Sequence, residues 1–200
     1  QEPGIQQAQS EVFQRIARFT LDQSARDIPE ATRARAALLL LDTLGICAAA
    51  APMEAGRIAR NIAVALYGAG TLDLSAPILF DGRRASLAGA GFAAGSQIDN
   101  LDGHDGYNPT KGHIGVAVVP ALAALVQARP DLRGTDALAA LVISYEIAGR
   151  AGIALHATVS DYHTSGAWNG LGVVALAARL RGHSADQLRH GFGIAEYHGP

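Results

Sequence analysis

An all-α domain, a multi-helix bundle, is what this sequence predicts, and three observations carry it. Alternating apolar and polar residues are nearly absent, good helix formers fill most of the chain, and capping signals open and close those runs. Two hundred residues suit one domain with a sizeable core, so residues 1–200 are read as a single all-α domain.

The elements follow in order. Asp27-Ile28-Pro29-Glu30 gives a cap, an early proline and an early acid, opening a helix over Ala31–Ala50. Glu54–Tyr67 is a second helix, stopped by Gly68-Ala69-Gly70. Thr71–Arg84 has a proline and an Asp-Gly pair and reads as an excursion or a short hairpin. Ser86–Ile98 is helical but glycine-rich. Glycine costs up to about 1 kcal/mol per site against alanine in a helix, so packing demands explain it better than propensity.

Gly115–Ala128 is an apolar helix containing Pro120, which sets its start or bends it. Thr135–His156 is the longest helix, with Thr135 as N-cap and Glu146/Arg150 paired at i,i+4. Ser165–Leu180 ends at Gly182, and Ser184-x-x-Gln187 is a capping box opening Ala185–Tyr197. The first ten residues are polar and carry no basic-then-apolar leader pattern.

Composition excludes several function classes. Net charge −2 and scattered arginines such as Arg33, Arg35, Arg83 and Arg84 give no field for nucleic acid. The run around Cys47 is broken by Asp42 and Thr43, which argues against a membrane span. A cytoplasmic protein with no nucleic-acid and no membrane partner is therefore expected. Apolar residues make up 49% and charged residues 17%, a surplus that suits an extensive oligomer or domain interface; a homodimer is the expected assembly. Cys47 is the only cysteine, so an intrachain disulfide and a zinc site of cysteines are both impossible.

The chemistry concentrates in one loop, Asp99–His113, which reads DNLDGHDGYNPTKGH and holds the only lysine. Carboxylates and imidazoles between apolar helices suit proton transfer, because burial tunes their pKa values towards neutrality. Lys111 suits an anionic substrate. Tyr162-His163-Thr164, just before a small-residue helix start, is a second such place, and His198 near the end is a third. Gly, Asn, Asp and Pro are also what any surface loop uses, and His156, His163, His183 and His190 have ordinary structural roles open to them. His104-Asp105 is the dipeptide of the metal-dependent HD phosphohydrolases, but no histidine precedes it. No EF-hand loop, P-loop or strand-borne GxGxxG is present.

Gly95–Ala124, GSQIDNLDGHDGYNPTKGHIGVAVVPALAA, resembles the signature region of the MmgE/PrpD family, which includes 2-methylcitrate dehydratase, cis-aconitate decarboxylase and iminodisuccinate epimerase. Asp102-Gly103-His104-Asp105-Gly106-Tyr107 occupies the acidic cluster, His113-Ile114-Gly115 the histidine step, and Pro120 the helix proline. Asp42-Thr43-Leu44-Gly45, Tyr145-Glu146…Arg150, Tyr162-His163-Thr164 with Gly170 and Ala175, and Arg179-Leu180-Arg181-Gly182 follow in family order. His104 stands in place of the middle acid, Ile114 in place of proline, and Gly106 where the decarboxylases carry threonine, which argues against decarboxylation.

The resemblance implies an N-terminal helical domain of a longer two-domain enzyme, with the active site between it and a missing α+β C-terminal domain that supplies further catalytic lysine and tyrosine. The helical part alone is then expected to be inactive. Asp102, His113 and His163 are implied as catalytic residues, and Lys111, Asp105, Tyr107 and Thr164 as substrate-binding ones. The reaction implied is proton abstraction next to a carboxylate of a small di- or tricarboxylate, followed by loss of water. No metal and no organic cofactor is needed if positive groups stabilise the enolate. Epimerisation of a dicarboxylate, a non-catalytic dimerisation domain, and a metal-dependent hydrolase using Asp102, His104 and Asp105 stand as alternatives.

Overall fold

A computed structural model describes residues 3–161 and 163–200. Among them eight α helices carry the fold: α1 Pro3–Asp22, α2 Glu30–Ala50, α3 Glu54–Leu66, α4 Leu87–Leu101, α5 Gly115–Gln127, α6 Gly134–Thr158, α7 Gly166–Arg181 and α8 Ala185–Tyr197. The stretch read as an excursion or hairpin is a hairpin, with β1 Ser75–Pro77 antiparallel to β2 Arg84–Ser86. The domain is all-α, as the capping and periodicity signals predict.

Helices α5, α6 and α7 form the inner layer, because each is apolar around most of its circumference. Val118, Leu122, Leu125, Leu141, Trp168 and Leu176 meet there in the main core. By length and composition α6 alone among the single helices would reach across a membrane, yet its middle, Ala139 to Ser144, is fully wrapped by neighbouring helices. Helix α4 packs on α5 and α2, while α3 turns from α2 by 96° and covers α4 with the hairpin.

The glycines of α4 serve that packing. A Cβ at Gly95 would come within 3.3 Å of the Val116 carbonyl of α5, and one at Gly89 within 2.5 Å of the Tyr67 Cβ. Pro120 lies inside α5 and does not start it. Its missing N–H leaves the Val116 carbonyl without the usual i+4 donor, and this is the carbonyl that α4 approaches.

Two expectations need correction. The sequence reading has no helix before Asp27, yet α1 runs from Pro3 to Asp22. Phe13, Ile16, Ala17, Thr20 and Leu21 recur at helical spacing, with Ala17 and Thr20 buried against α7 and α8. Arg179 holds the helix end, donating to the carbonyls of Thr20 (3.0 Å), Leu21 (3.2 Å) and Gln23 (2.5 Å). Thr135 is also not an N-cap: α6 begins at Gly134, with Arg133 at the cap position. Asp136 in its first turn pairs with Arg133 at 2.9 Å and offsets the positive end of the helix dipole. The Ser184–Gln187 capping box is present in both directions.

Candidate active site

The polar loop joins α4 to α5, and its backbone is held from both ends. Helix α4 stops at Asp102, whose backbone is left-handed (φ 50°), and Lys111 is left-handed too (φ 47°). Such conformations cost roughly 1–2 kcal/mol for a residue with a Cβ, so surrounding contacts must impose them. Tyr107 and Gly112 supply one such contact, bridging across the loop with Tyr107 N–H donating to the Gly112 carbonyl at 2.7 Å. Asn108–Thr110 form a single 3-10 turn between them.

The loop lies against α6 at Gly149 and Gly152. A Cβ at Gly152 would meet the Thr110 methyl at 2.7 Å and the Trp168 ring at 2.9 Å. From below, Thr43 of the Asp42-Thr43-Leu44-Gly45 stretch bonds its own helix at the Leu39 carbonyl (2.8 Å) and touches the Gly115 position.

His113 is fixed on all sides. Its Nδ1 lies 2.7 Å from the Asp105 backbone carbonyl, a pure acceptor, so the neutral ring carries its proton on Nδ1 and a lone pair on Nε2. Its backbone N–H donates to Ser165 Oγ at 3.3 Å, and its carbonyl accepts from Asn169 Nδ2 at 2.6 Å. These bonds tie the loop to the start of α7.

His104 packs on this ring, with centroids 4.2 Å apart. Its side chain is wholly buried, and neither ring nitrogen has a hydrogen-bond partner among the described residues. Burial first, then the adjacent His113 ring, lowers its pKa and favours the neutral ring. Asp102, exposed, completes a group with His104 and His113: one potential donor atom from each lies within 4.8 Å of the others.

Lys111 and His163 meet elsewhere. With Thr110, His156, Asp161, Ser165 and Trp168 they line a cavity of about 420 Å³. His163 Nδ1 is 3.2 Å from the Asp161 carbonyl, while its Nε2 is buried with no partner among the described residues. The His156 ring stands edge-on to it at 4.5 Å. Ser165 touches His113 and also lines this cavity, so it links the two places.

Asp105 and Tyr107 line a second cavity, about 440 Å³, with Tyr145 and Gly149. The Asp105 carboxylate accepts the Gly115 N–H at 3.0 and 3.3 Å, anchoring the start of α5. Burial and the Asp105 charge raise the pKa of the Tyr145 phenol far above its usual range. Thr164 is exposed and stands outside these groups, and Tyr162 lies outside the described residues.

Sequence reasoning put Asp102, His104, Asp105, Lys111 and His113 in one loop and His163 in a separate segment, and took His156 as a helix-end or surface residue. The structure divides the loop, grouping Asp102 and His104 with His113 and bringing Lys111 to His163 and His156. His156 is found by its position: the last turn of α6 delivers it to the segment holding His163. Ser165 and Asn169 bind His113 through hydroxyl and amide, a link over fifty residues that no local pattern signals.

Comparison with known proteins gives one family. The model of the MmgE/PrpD N-terminal domain matches residues 14–200, which takes in the whole loop and both histidine steps. No curated protein matches the chain.

Proposed function

The chain belongs to the MmgE/PrpD family of dehydratases and isomerases, and on that footing we propose that it carries the helical half of a cofactor-independent, dehydratase-type lyase acting on a small di- or tricarboxylate. One observation supports this above all: the His113 backbone is held by Ser165 and Asn169 and its ring Nδ1 by the Asp105 carbonyl, which leaves Nε2 as the ring atom that can act on a substrate. A base so held needs little reorganisation to accept a proton.

In this reading Lys111 and the Ser165 hydroxyl at the start of α7 hold substrate carboxylates, and positive charge there stabilises the enolate that forms. His113 Nε2 takes the proton from the carbon next to a carboxylate. The electron pair left behind forms the carbon–carbon double bond as the β-hydroxyl departs. Protonated His163 gives its proton to that hydroxyl, so water leaves. Asp102 orients His113. An α+β domain of the longer enzyme closes over the loop and supplies the rest of the site. Reprotonation on the opposite face, with no loss of water, is the epimerase outcome of the same first step.

In the enzyme carrying both domains, His113→Asn and His163→Asn are each expected to lower turnover by about a hundredfold or more, as lost acid–base catalysis does. Near-normal turnover in both variants would overturn the assignment.

A further inference from the structure

His156 has no part in that reading, yet it lines the same cavity as Lys111 and His163. The charge of the two cavities beside the loop sets them apart. The one at Asp105 and Tyr107 carries two carboxylates among its described residues, Asp105 and Glu146, and its cation, Arg150, is already paired with Glu146 at 2.9 Å. The one at Lys111 reverses the balance: Lys111, His156 and His163 stand there against a single carboxylate, Asp161, among the described residues. An anion fits the second cavity and not the first.

Three separate pieces of the fold deliver these groups. Lys111 closes the 3-10 turn on a left-handed backbone, and His156 comes from the last turn of α6. His163 is held through Nδ1 by the Asp161 carbonyl, so its buried Nε2, with no partner among the described residues, is the atom left to act on a substrate. The His156 ring stands beside it, with centroids 4.5 Å apart and 68° between the planes. Ser165 Oγ joins this cavity to the base, because it also accepts the His113 N–H at 3.3 Å.

We propose that His156 binds a second substrate carboxylate, the one on the carbon that bears the departing hydroxyl. This rests on the lyase reading, which gives Lys111 and Ser165 the carboxylate beside the abstracted proton and gives the hydroxyl to His163. The carboxylate on the next carbon then falls beside the His163 ring, where His156 stands. His156 is exposed on the helical domain and free to take that partner. The substrate class narrows to hydroxy acids with a carboxylate on each of the two reacting carbons. A β-hydroxy acid with one carboxylate has no group for His156 and loses a charge-assisted hydrogen bond.

The test uses two inert four-carbon acids, succinate and butyrate, which differ in having a carboxylate or a methyl group at one end. Their binding to the enzyme carrying both domains is measured by isothermal titration calorimetry. Succinate is expected to bind about tenfold or more tighter, the size of one charge-assisted hydrogen bond. His156→Ala should remove that preference and leave the butyrate affinity unchanged, while His156→Gln, which keeps a donor, should fall between the two. A preference that survives His156→Ala, an equal loss for both acids, or no succinate binding overturns the proposal. Neither acid carries a hydroxyl, so this readout involves no turnover. Deuterium exchange that depends on His113 alongside an unmoved preference would sink this inference alone; a lost preference without exchange would sink the lyase reading alone.

Discussion

Gly115 has no room for a side chain. A Cβ there would stand 2.5 Å from Asp105 Oδ1, 2.7 Å from the Tyr145 hydroxyl and 3.0 Å from Thr43 Oγ1. Since the Asp105 carbonyl also fixes His113, pushing Asp105 aside disturbs that ring. Gly115→Ala is therefore expected to destabilise the domain by about 1–3 kcal/mol, as overpacking does. Chemical denaturation with the midpoint compared at constant slope checks this; an unchanged midpoint would mean the loop yields freely. The sequence showed which residue types crowd into this loop but not their division of labour. Asp102 and Asp105 look alike in DNLDGHDGY, yet one is exposed at a helix end and the other anchors the next helix.

At the same scale, Asp81 holds the hairpin against α3. Its carboxylate accepts from Arg83 and Arg60, which lower its pKa from 3.8 to about 2, the Arg83 hydrogen bond first. A carboxyl with a depressed folded-state pKa stabilises the fold above its unfolded value and loses that contribution as pH falls towards the folded one. Asp81→Asn should cost about 1 kcal/mol at pH 7, a figure reduced for solvent screening. That difference should hold down to about pH 4 and shrink to nothing towards pH 2. Urea melts of both proteins across this range check it, and a difference that persists at pH 2 would contradict the ion-pair account.

Among the elements, those with local signals were legible. The capping box of α8, the glycine stop of α7 at Gly182 (φ 67°) and the hairpin between α3 and α4 follow from short patterns. What local patterns do not settle is anything decided by a distant partner. The end of α1 depends on Arg179, more than 150 residues away in sequence. The start of α6 was misread because Thr135 is a good cap by type, while the Arg133–Asp136 pair sets the actual first turn. The crossing of α6 and α7 is of the same kind. A Cβ at Gly172 there would stand 2.8 Å from the Ala148 Cβ and 2.9 Å from the Ser144 carbonyl, and the Gly172 carbonyl accepts from Ser144 Oγ at 2.9 Å. Gly172→Ala should separate these helices, lowering the melting temperature, by about 1–3 kcal/mol of stability. An unchanged melting temperature would show that the crossing has slack.

For the whole molecule, the helical bundle is a platform that brings the end of α4, the start of α5 and the approach to α7 to one face. The apolar surplus is partly at the surface, in Leu38, Leu41, Ile58, Leu66, Leu72 and Phe80 among others, on α2, α3 and the hairpin. In the proposed reading the reaction class is a whole-molecule property as well, since the loop would supply a base and carboxylate-binding groups whose use depends on what closes over them. The central claim is that the family's shared first step, proton removal next to a carboxylate, takes place here. The most direct measurement is proton exchange in heavy water. The enzyme carrying both domains is incubated with a panel of small di- and tricarboxylates, including unsaturated ones to run the reaction backwards, and followed by NMR. The account predicts deuterium at the carbon next to a carboxylate, abolished by His113→Asn. Turnover without deuterium at that carbon, or no exchange from any member of the panel, would contradict it.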